Sequence, residues 1–152
     1  MQDKLLFSPG SIRPERLSEI RAQRDIEEIS IKMSDNTILH GWLVKQDSKK
    51  DKDKSPLVII FSGQGGEVTS HIKHARKIHG CFVALINYRG YGLSQGTPSE
   101  TAFYNDAIEI FDYFSKRQDI HKEKIFALGG SLGTGIAVHL AAHRPLAGVI
   151  LF

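Results

Sequence analysis

The sequence predicts an α/β domain in which an N-terminal β-hairpin is followed by a mainly parallel sheet with crossover helices. Short apolar segments typical of buried strands alternate with amphipathic segments of helical period. Turn clusters rich in Gly, Ser, Asn and Asp separate these segments. Because strands alternate with helices, right-handed β-α-β units and hence parallel strand pairs are favoured.

The N-terminal part divides into a lead-in, a hairpin and a charged loop. Residues 1–25 are mostly polar, and we predict a lead-in to a domain that spans residues 26–152. Residues 26–32 and 37–44 have the pattern of half-buried strands and are joined by a polar turn, which predicts the hairpin. Residues 45–55 carry charges of both signs and no apolar side chain, which favours a solvated loop over a basic contact site.

The rest of the sequence alternates strands with helices. Four apolar runs are predicted as buried strands: 57–61, 81–86, 125–128 and 147–152. Three segments have the apolar spacing of helices: 67–79, 103–114 and 134–143. Thr97 and Glu100 have the spacing of a capping box, with a proline between them at the first helical position, and predict that the middle helix starts there. We expect the last strand to be an unpaired apolar edge through which the chain self-associates.

Composition narrows the class of protein. The single cysteine, Cys81, excludes an internal disulfide and a Cys-rich zinc site. No apolar run reaches the roughly 18 residues needed to span a membrane, and the N-terminus has no apolar segment long enough for a secretory signal. The 20 Lys and Arg nearly balance the 17 Asp and Glu, which argues against a nucleic-acid partner. These features predict a cytoplasmic protein without a membrane span.

The sharpest motif is the segment 129–133, GGSLG, between a predicted strand and a predicted helix. It fits G-x-S-x-G, in which a serine on a tight strand-to-helix turn projects its hydroxyl above the sheet. Gly129 and Gly133 would leave room for that turn, and Ser131 would be the nucleophile. The N–H of Leu132 would point at an oxyanion formed on a substrate carbonyl. The alternative is a glycine-rich turn with an incidental serine.

A second glycine-rich segment follows the strand 57–61. An oxyanion hole needs another N–H donor from the loop after an earlier strand. We predict the backbone N–H of Gln64 as that donor, with Gly63 and Gly65 permitting close approach of the backbone. A flexible loop or a phosphate cradle are the alternatives.

The phosphate cradle is the start of a competing interpretation, a nucleotide-binding βαβ protein. In that interpretation Asn87 and Arg89, after the following strand, would read the ribose or 2′-phosphate of a nicotinamide cofactor. However, the third glycine of G-x-G-x-x-G falls on Val68, and no GK[ST] follows either glycine cluster. The sequence therefore favours an enzyme without cofactor or metal.

The motifs LLFSP, HGWLV, VIIFSGQGG, NYRGYGLSQGTPSE and LGGSLGTGIAVHLA occur in one order over nearly the whole chain. This order resembles the α/β-hydrolase superfamily, specifically its ABHD-type serine hydrolases. The resemblance implies an incomplete α/β-hydrolase fold, strands 1–6 of 8, that acts on a small-molecule or acylated ester, thioester or amide. It also implies Ser131 as nucleophile and the amides of Gln64 and Leu132 as the oxyanion hole. The chain departs from the family pattern at Ser62, often His, and at Asn87, often Asp.

The sequence supplies no catalytic acid or base that fits this mechanism. In the superfamily the acid and then the histidine follow the serine, yet no Asp or Glu follows Ser131 here. His139 and His143 lie on the helix that Ser131 opens, and at about 1.5 Å per residue His139 would be roughly 12 Å away. The chain is therefore interpreted as the N-terminal portion of an active hydrolase, or as a catalytically dead remnant or binding module.

Overall fold

The computed structural model describes residues 7–45 and 54–152. Within these residues the chain forms one six-stranded sheet. The strands are β1 (Ile26–Lys32), β2 (Ile38–Val44), β3 (Ser55–Phe61), β4 (Phe82–Ile86), β5 (Ile120–Gly129) and β6 (Gly148–Leu151). The helices are α1 (Pro14–Arg21), a 3₁₀ turn (Val68–His71) that continues into α2 (Ile72–Ala75), α3 (Glu100–Ser115) and α4 (Leu132–His143).

The sheet is mixed, with the order β1-β2-β4-β3-β5-β6. β1 and β2 form the antiparallel hairpin, and β2 also runs antiparallel to β4. The pairs β4–β3, β3–β5 and β5–β6 are parallel. The predicted class, a hairpin followed by a mainly parallel sheet, is therefore confirmed.

Several element boundaries differ from the predictions. The lead-in contains α1, which the sequence does not reveal because Ile20 is its one fully buried residue. The predicted helix 67–79 is a 3₁₀ turn and one α-helical turn. The strand predicted at 125–128 begins at Ile120, since Ser55 pairs with Ile120 across the sheet.

The helix starts also shift. α3 is capped by Ser99, whose hydroxyl accepts a hydrogen bond from the N–H of Ala102, rather than by Thr97. α4 begins at Leu132, two residues before the predicted start. The turn between β5 and α4, which contains Ser131, is consequently shorter than the sequence pattern predicts. Most of the charged loop predicted at 45–55 lies outside the described residues.

Apolar side chains cover both faces of the sheet. α3 and α4 pack on one face, where Phe103 and Phe114 are buried against alternate residues of β3 and β5. Ile20 of α1 and Ile72 of α2 pack on the other face against Trp42. With helices on both faces, the carboxyl ends of the parallel strands remain open at one edge, where α/β sheets form their ligand sites.

Candidate active site

Ser131 occupies the turn between β5 and α4. Its backbone has φ 51° and ψ −117°, and its side chain is exposed. A left-handed conformation at a non-glycine residue costs on the order of 1–3 kcal/mol and persists where surrounding structure enforces it. The turn therefore holds the serine hydroxyl above the carboxyl edge of the sheet, as in the nucleophile elbow of hydrolases.

Close backbone contacts explain the glycines on either side of Ser131. A Cβ at Gly129 would lie 2.5 Å from the carbonyl oxygen of Gly133. A Cβ at Gly133 would overlap the carbonyl group of Phe61, at the end of β3. The turn is also pinned by the N–H of Gly130, which donates to that Phe61 carbonyl at 3.1 Å. The start of α4 thus lies directly against β3.

The loop after β3 lies beside the serine. A Cβ at Gly63 would be 3.5 Å from Cβ of Ser131 and 3.9 Å from its hydroxyl oxygen. Gln64, the next residue, is exposed. The two segments that the sequence singled out separately are therefore brought together. Gly65 has open space where a Cβ would be, so close approach does not require glycine there.

Two backbone amides in the segments around Ser131, those of Gln64 and Leu132, make no hydrogen bond within the described residues. Leu132 is the first residue of α4, where helix geometry leaves N–H groups without internal partners and concentrates positive dipole charge. By contrast, the N–H of Ser131 donates to the carbonyl of Phe152 at 3.4 Å. Backbone N–H groups without a partner can donate hydrogen bonds to an oxygen that carries negative charge.

The loop that follows β4 supports the loop that follows β3. Tyr88 donates its hydroxyl hydrogen to the carbonyl of Ser62 at 2.7 Å, and Tyr91 donates to the carbonyl of Gln64 at 2.8 Å. From the sequence, these tyrosines contribute only to the family resemblance, and their hydrogen bonds are not predicted. Those bonds depend on the order of strands in the sheet, because β3 and β4 are parallel neighbours and the loops that follow them therefore meet.

The N-terminal segment reaches the same loop. Ser8 forms a parallel bridge with Gly65, and its carbonyl accepts a hydrogen bond from the N–H of Gly66 at 3.3 Å. The side chain of Phe7 is buried, with its ring 5.1 Å from that of Phe103. This segment therefore packs against the loop that carries Gln64.

Asn87 and Arg89 are engaged in contacts within the protein. Asn87 is buried, and its side-chain oxygen accepts the N–H of Val68 at 3.0 Å. Arg89 binds both carboxylate oxygens of Asp106, at 2.6 and 2.7 Å, and Asp35 at 2.6 Å. Its guanidinium hydrogen bond holds the pKa of Asp35 well below the usual range. Both side chains are therefore engaged in hydrogen bonds within the protein, which disfavours the contact with a nicotinamide cofactor considered for them.

No histidine or carboxylate of the described residues donates to or accepts from the hydroxyl of Ser131. His139 stacks on Tyr104 with ring centres 4.7 Å apart and on His143 at 4.2 Å. Burial and the neighbouring His74 lower the pKa of His71. The described residues also contain no group of three or more His, Cys, Asp or Glu side chains placed to hold a metal ion.

Among the helices of the described residues, none is long and apolar enough to cross a membrane.

Comparison with known proteins identifies the family. Residues 56–150 match the family model for the alpha/beta hydrolase fold. The chain belongs to the alpha/beta hydrolase fold family. The predicted resemblance to ABHD-type α/β-hydrolases is therefore confirmed.

Curated relatives match nearly the whole chain. The alpha/beta hydrolase domain-containing protein WAV2 of Arabidopsis thaliana is 29% identical over 95% of this chain and 48% of its own length. An uncharacterised protein of Mycobacterium tuberculosis is 32% identical over 99% of this chain and 52% of its own length. The chain thus spans about half the length of the curated relatives it matches.

Solved structures agree on the fold. An alpha-beta hydrolase from Vibrio vulnificus aligns with a TM-score of 0.74 and 23% identity, covering 93% of this chain and 51% of that one. An esterase of Pyrococcus furiosus aligns with a TM-score of 0.68 and 17% identity, covering 94% of this chain and 54% of that one. At these identities the likeness shows the fold.

Proposed function

We propose that the chain carries the nucleophile and oxyanion hole of a serine hydrolase that cleaves a small-molecule or acylated ester, thioester or amide. The observation that carries the proposal is the left-handed turn of Ser131 at the carboxyl edge of the sheet, with the Gly63 backbone beside it. The esterase among the structural neighbours supports hydrolysis as the reaction class.

In the proposed reaction the hydroxyl oxygen of Ser131 attacks the carbonyl carbon of the substrate. Its proton passes to a base, and the carbonyl oxygen becomes an oxyanion held by the N–H groups of Gln64 and Leu132. Collapse of this intermediate expels the alcohol, thiol or amine with a proton and leaves an acyl group on Ser131. Attack by water then releases the acid and restores the serine.

A hydroxyl without a base is a poor nucleophile. The described residues offer Ser131 no such partner, and the chain matches about half the length of its relatives. We therefore propose that the catalytic acid and base belong to the part of the relatives' length that this chain does not match. We also propose a cytoplasmic setting, in keeping with the free, buried thiol of Cys81, and a reaction without a cofactor.

A fluorophosphonate probe tests this proposal, because it forms a Ser Oγ–P bond with loss of fluoride. We expect labelling at Ser131 in a longer product that includes the second half of the fold, and slow labelling in this chain. Ser131→Ala abolishes labelling, whereas Ser115→Ala, which removes a hydroxyl at the end of α3, leaves it unchanged.

Other outcomes would favour the competing interpretations. If Ser131 is labelled neither in this chain nor in the longer product, the chain would instead be a binding module or a catalytically dead remnant. Equal and fast labelling in both products would mean that this chain contains its own base. Saturable binding of a nicotinamide nucleotide would instead support the nucleotide-binding interpretation.

A further inference from the structure

We propose that Tyr88 and Tyr91 are positioning residues that orient the Gln64 N–H for the oxyanion. This inference rests on the proposed function. Two hydroxyls from one loop bind two carbonyls of the neighbouring loop, and the peptide unit between those carbonyls is the one that carries the candidate donor.

The two tyrosine contacts lie on either side of the peptide unit that carries the Gln64 N–H. The carbonyl of Ser62 belongs to the peptide unit before the Gly63–Gln64 unit, and the carbonyl of Gln64 belongs to the unit after it. The hydroxyl of Tyr88 is 2.7 Å from the first carbonyl, and that of Tyr91 is 2.8 Å from the second. Fixing both neighbouring units restricts rotation of the middle one, which glycine at 63 would otherwise permit.

The rings that deliver these hydroxyls are themselves fixed. Tyr88 is 9% exposed and Tyr91 is 1% exposed. The ring of Tyr88 stacks on Phe103 of α3 at 4.6 Å, and Tyr91 meets the ring of Tyr88 edge-on at 5.7 Å. Aromatic pairs of this kind add to stability beyond the effect of their buried area, so the rings hold the two hydroxyls in place.

The residues between Tyr88 and Tyr91 explain the shape of the loop after β4. Gly90 has a φ of 75° and the N–H of Tyr91 donates to the carbonyl of Tyr88, so the loop turns back and presents both tyrosines to the same neighbour. Arg89, between the two tyrosines, anchors the loop to Asp106 of α3. A phenol keeps its proton at neutral pH and can donate a hydrogen bond, and burial raises the pKa of both tyrosines further.

The test compares Tyr88→Phe, Tyr91→Phe and the double variant with Tyr113→Phe. Tyr113 is a suitable control because its hydroxyl makes no hydrogen bond within the described residues and it lines a separate cavity with Ile31 and Lys32. Two measurements are made on each variant: fluorophosphonate inactivation, resolved into kinact and KI, and the ¹⁵N relaxation of the Gln64 amide.

We expect kinact to fall about 10-fold to 100-fold in the double variant, with KI unchanged, since a displaced donor weakens stabilisation of the transition state. The Gln64 amide order parameter should fall from about 0.85 towards 0.6 or below. Tyr113→Phe should change neither quantity. A variant that merely unfolds would lose the dispersed amide spectrum, and the single variants then supply the comparison.

The two hypotheses fail in different ways. Unchanged Gln64 relaxation in Tyr88→Phe, Tyr91→Phe and the double variant would overturn the positioning role, whatever the labelling rate. A rise in KI with constant kinact would also overturn it, because the tyrosines would then affect binding of the probe. Absence of Ser131 labelling both in this chain and in the longer product would overturn the proposed function instead.

Discussion

At Gly133 the first turn of α4 passes against the carbonyl group of Phe61 on β3. The contact is between two backbones, so neither partner can move aside as a flexible side chain would. It lies two residues after Ser131 on α4 and directly before the loop that follows β3. The close approach of α4 to β3 beside the candidate site therefore requires a residue without a side chain at position 133.

Gly133→Ala should lower the free energy of unfolding by about 2–4 kcal/mol, because the added methyl group overlaps the Phe61 carbonyl. Urea denaturation measures the change. Gly65→Ala is the matched control, since no atom lies within 4 Å of the added Cβ, and it should change the unfolding free energy by less than about 0.5 kcal/mol. Equal effects of the two substitutions would contradict this account.

At the scale of elements, one arginine joins the connection between α3 and β5 to the distant strand β1. Arg117, after α3, binds both carboxylate oxygens of Glu27 on β1, at 3.0 and 2.9 Å. It also binds Asp119, before β5, at 2.8 and 2.7 Å. These hydrogen bonds lower the pKa of both carboxyl groups. The network ties the hairpin and β5 to the end of α3.

This network predicts a dependence of stability on pH. A carboxyl group with a lowered pKa in the folded state stabilises the protein above its unfolded pKa, and this stabilisation is lost as pH falls through the folded value. Unfolding free energy should therefore decline as pH falls below the ordinary values of 4.5 for Glu27 and 3.8 for Asp119. Arg117→Met should flatten that decline, as measured by urea denaturation between pH 6 and pH 2.5.

Arg16→Met is the control for Arg117→Met. Arg16 pairs with Glu19 on the surface of α1, where such pairs contribute little to stability. Its removal should leave the acid dependence unchanged. An acid dependence of Arg117→Met that matches the unmodified protein would show that other carboxyl groups dominate.

Prediction from sequence succeeded where the pattern was local. Strands β3 and β4 were located through the continuous apolar runs 57–61 and 81–86, and the G-x-S-x-G turn was recognisable because its residues are adjacent. It failed where a neighbour in space decided the outcome. β5 begins at Ile120 because Ser55 pairs with that residue, and the hydroxyl of Tyr91 meets Gln64 because β3 and β4 lie side by side.

At the scale of the whole molecule, the two edges of the sheet differ. β1 forms one edge, and its outward charged residues oppose pairing with another strand. β6 forms the other edge of the sheet in the described residues, where Ile150 is 59% exposed and Phe152 is 78% exposed. Exposed apolar edges pair readily with other strands.

The β6 edge is expected to make the isolated chain self-associate. Sedimentation velocity over a concentration series should show association, and Ile150→Lys should weaken it by at least about tenfold in Kd. Val138→Lys is the control, because Val138 is an apolar residue of α4 that is 50% exposed, and it should have little effect. A monomer at every concentration would contradict this expectation.

The bridge between Ser8 and Gly65 and the hydrogen bond between Ser131 and Phe152 have a practical consequence. They hold Ser8 against the loop after β3 and Phe152 against the turn of Ser131, so two segments that are far apart in sequence brace the two halves of the candidate site. A protein prepared for assays of Ser131 should therefore retain both segments.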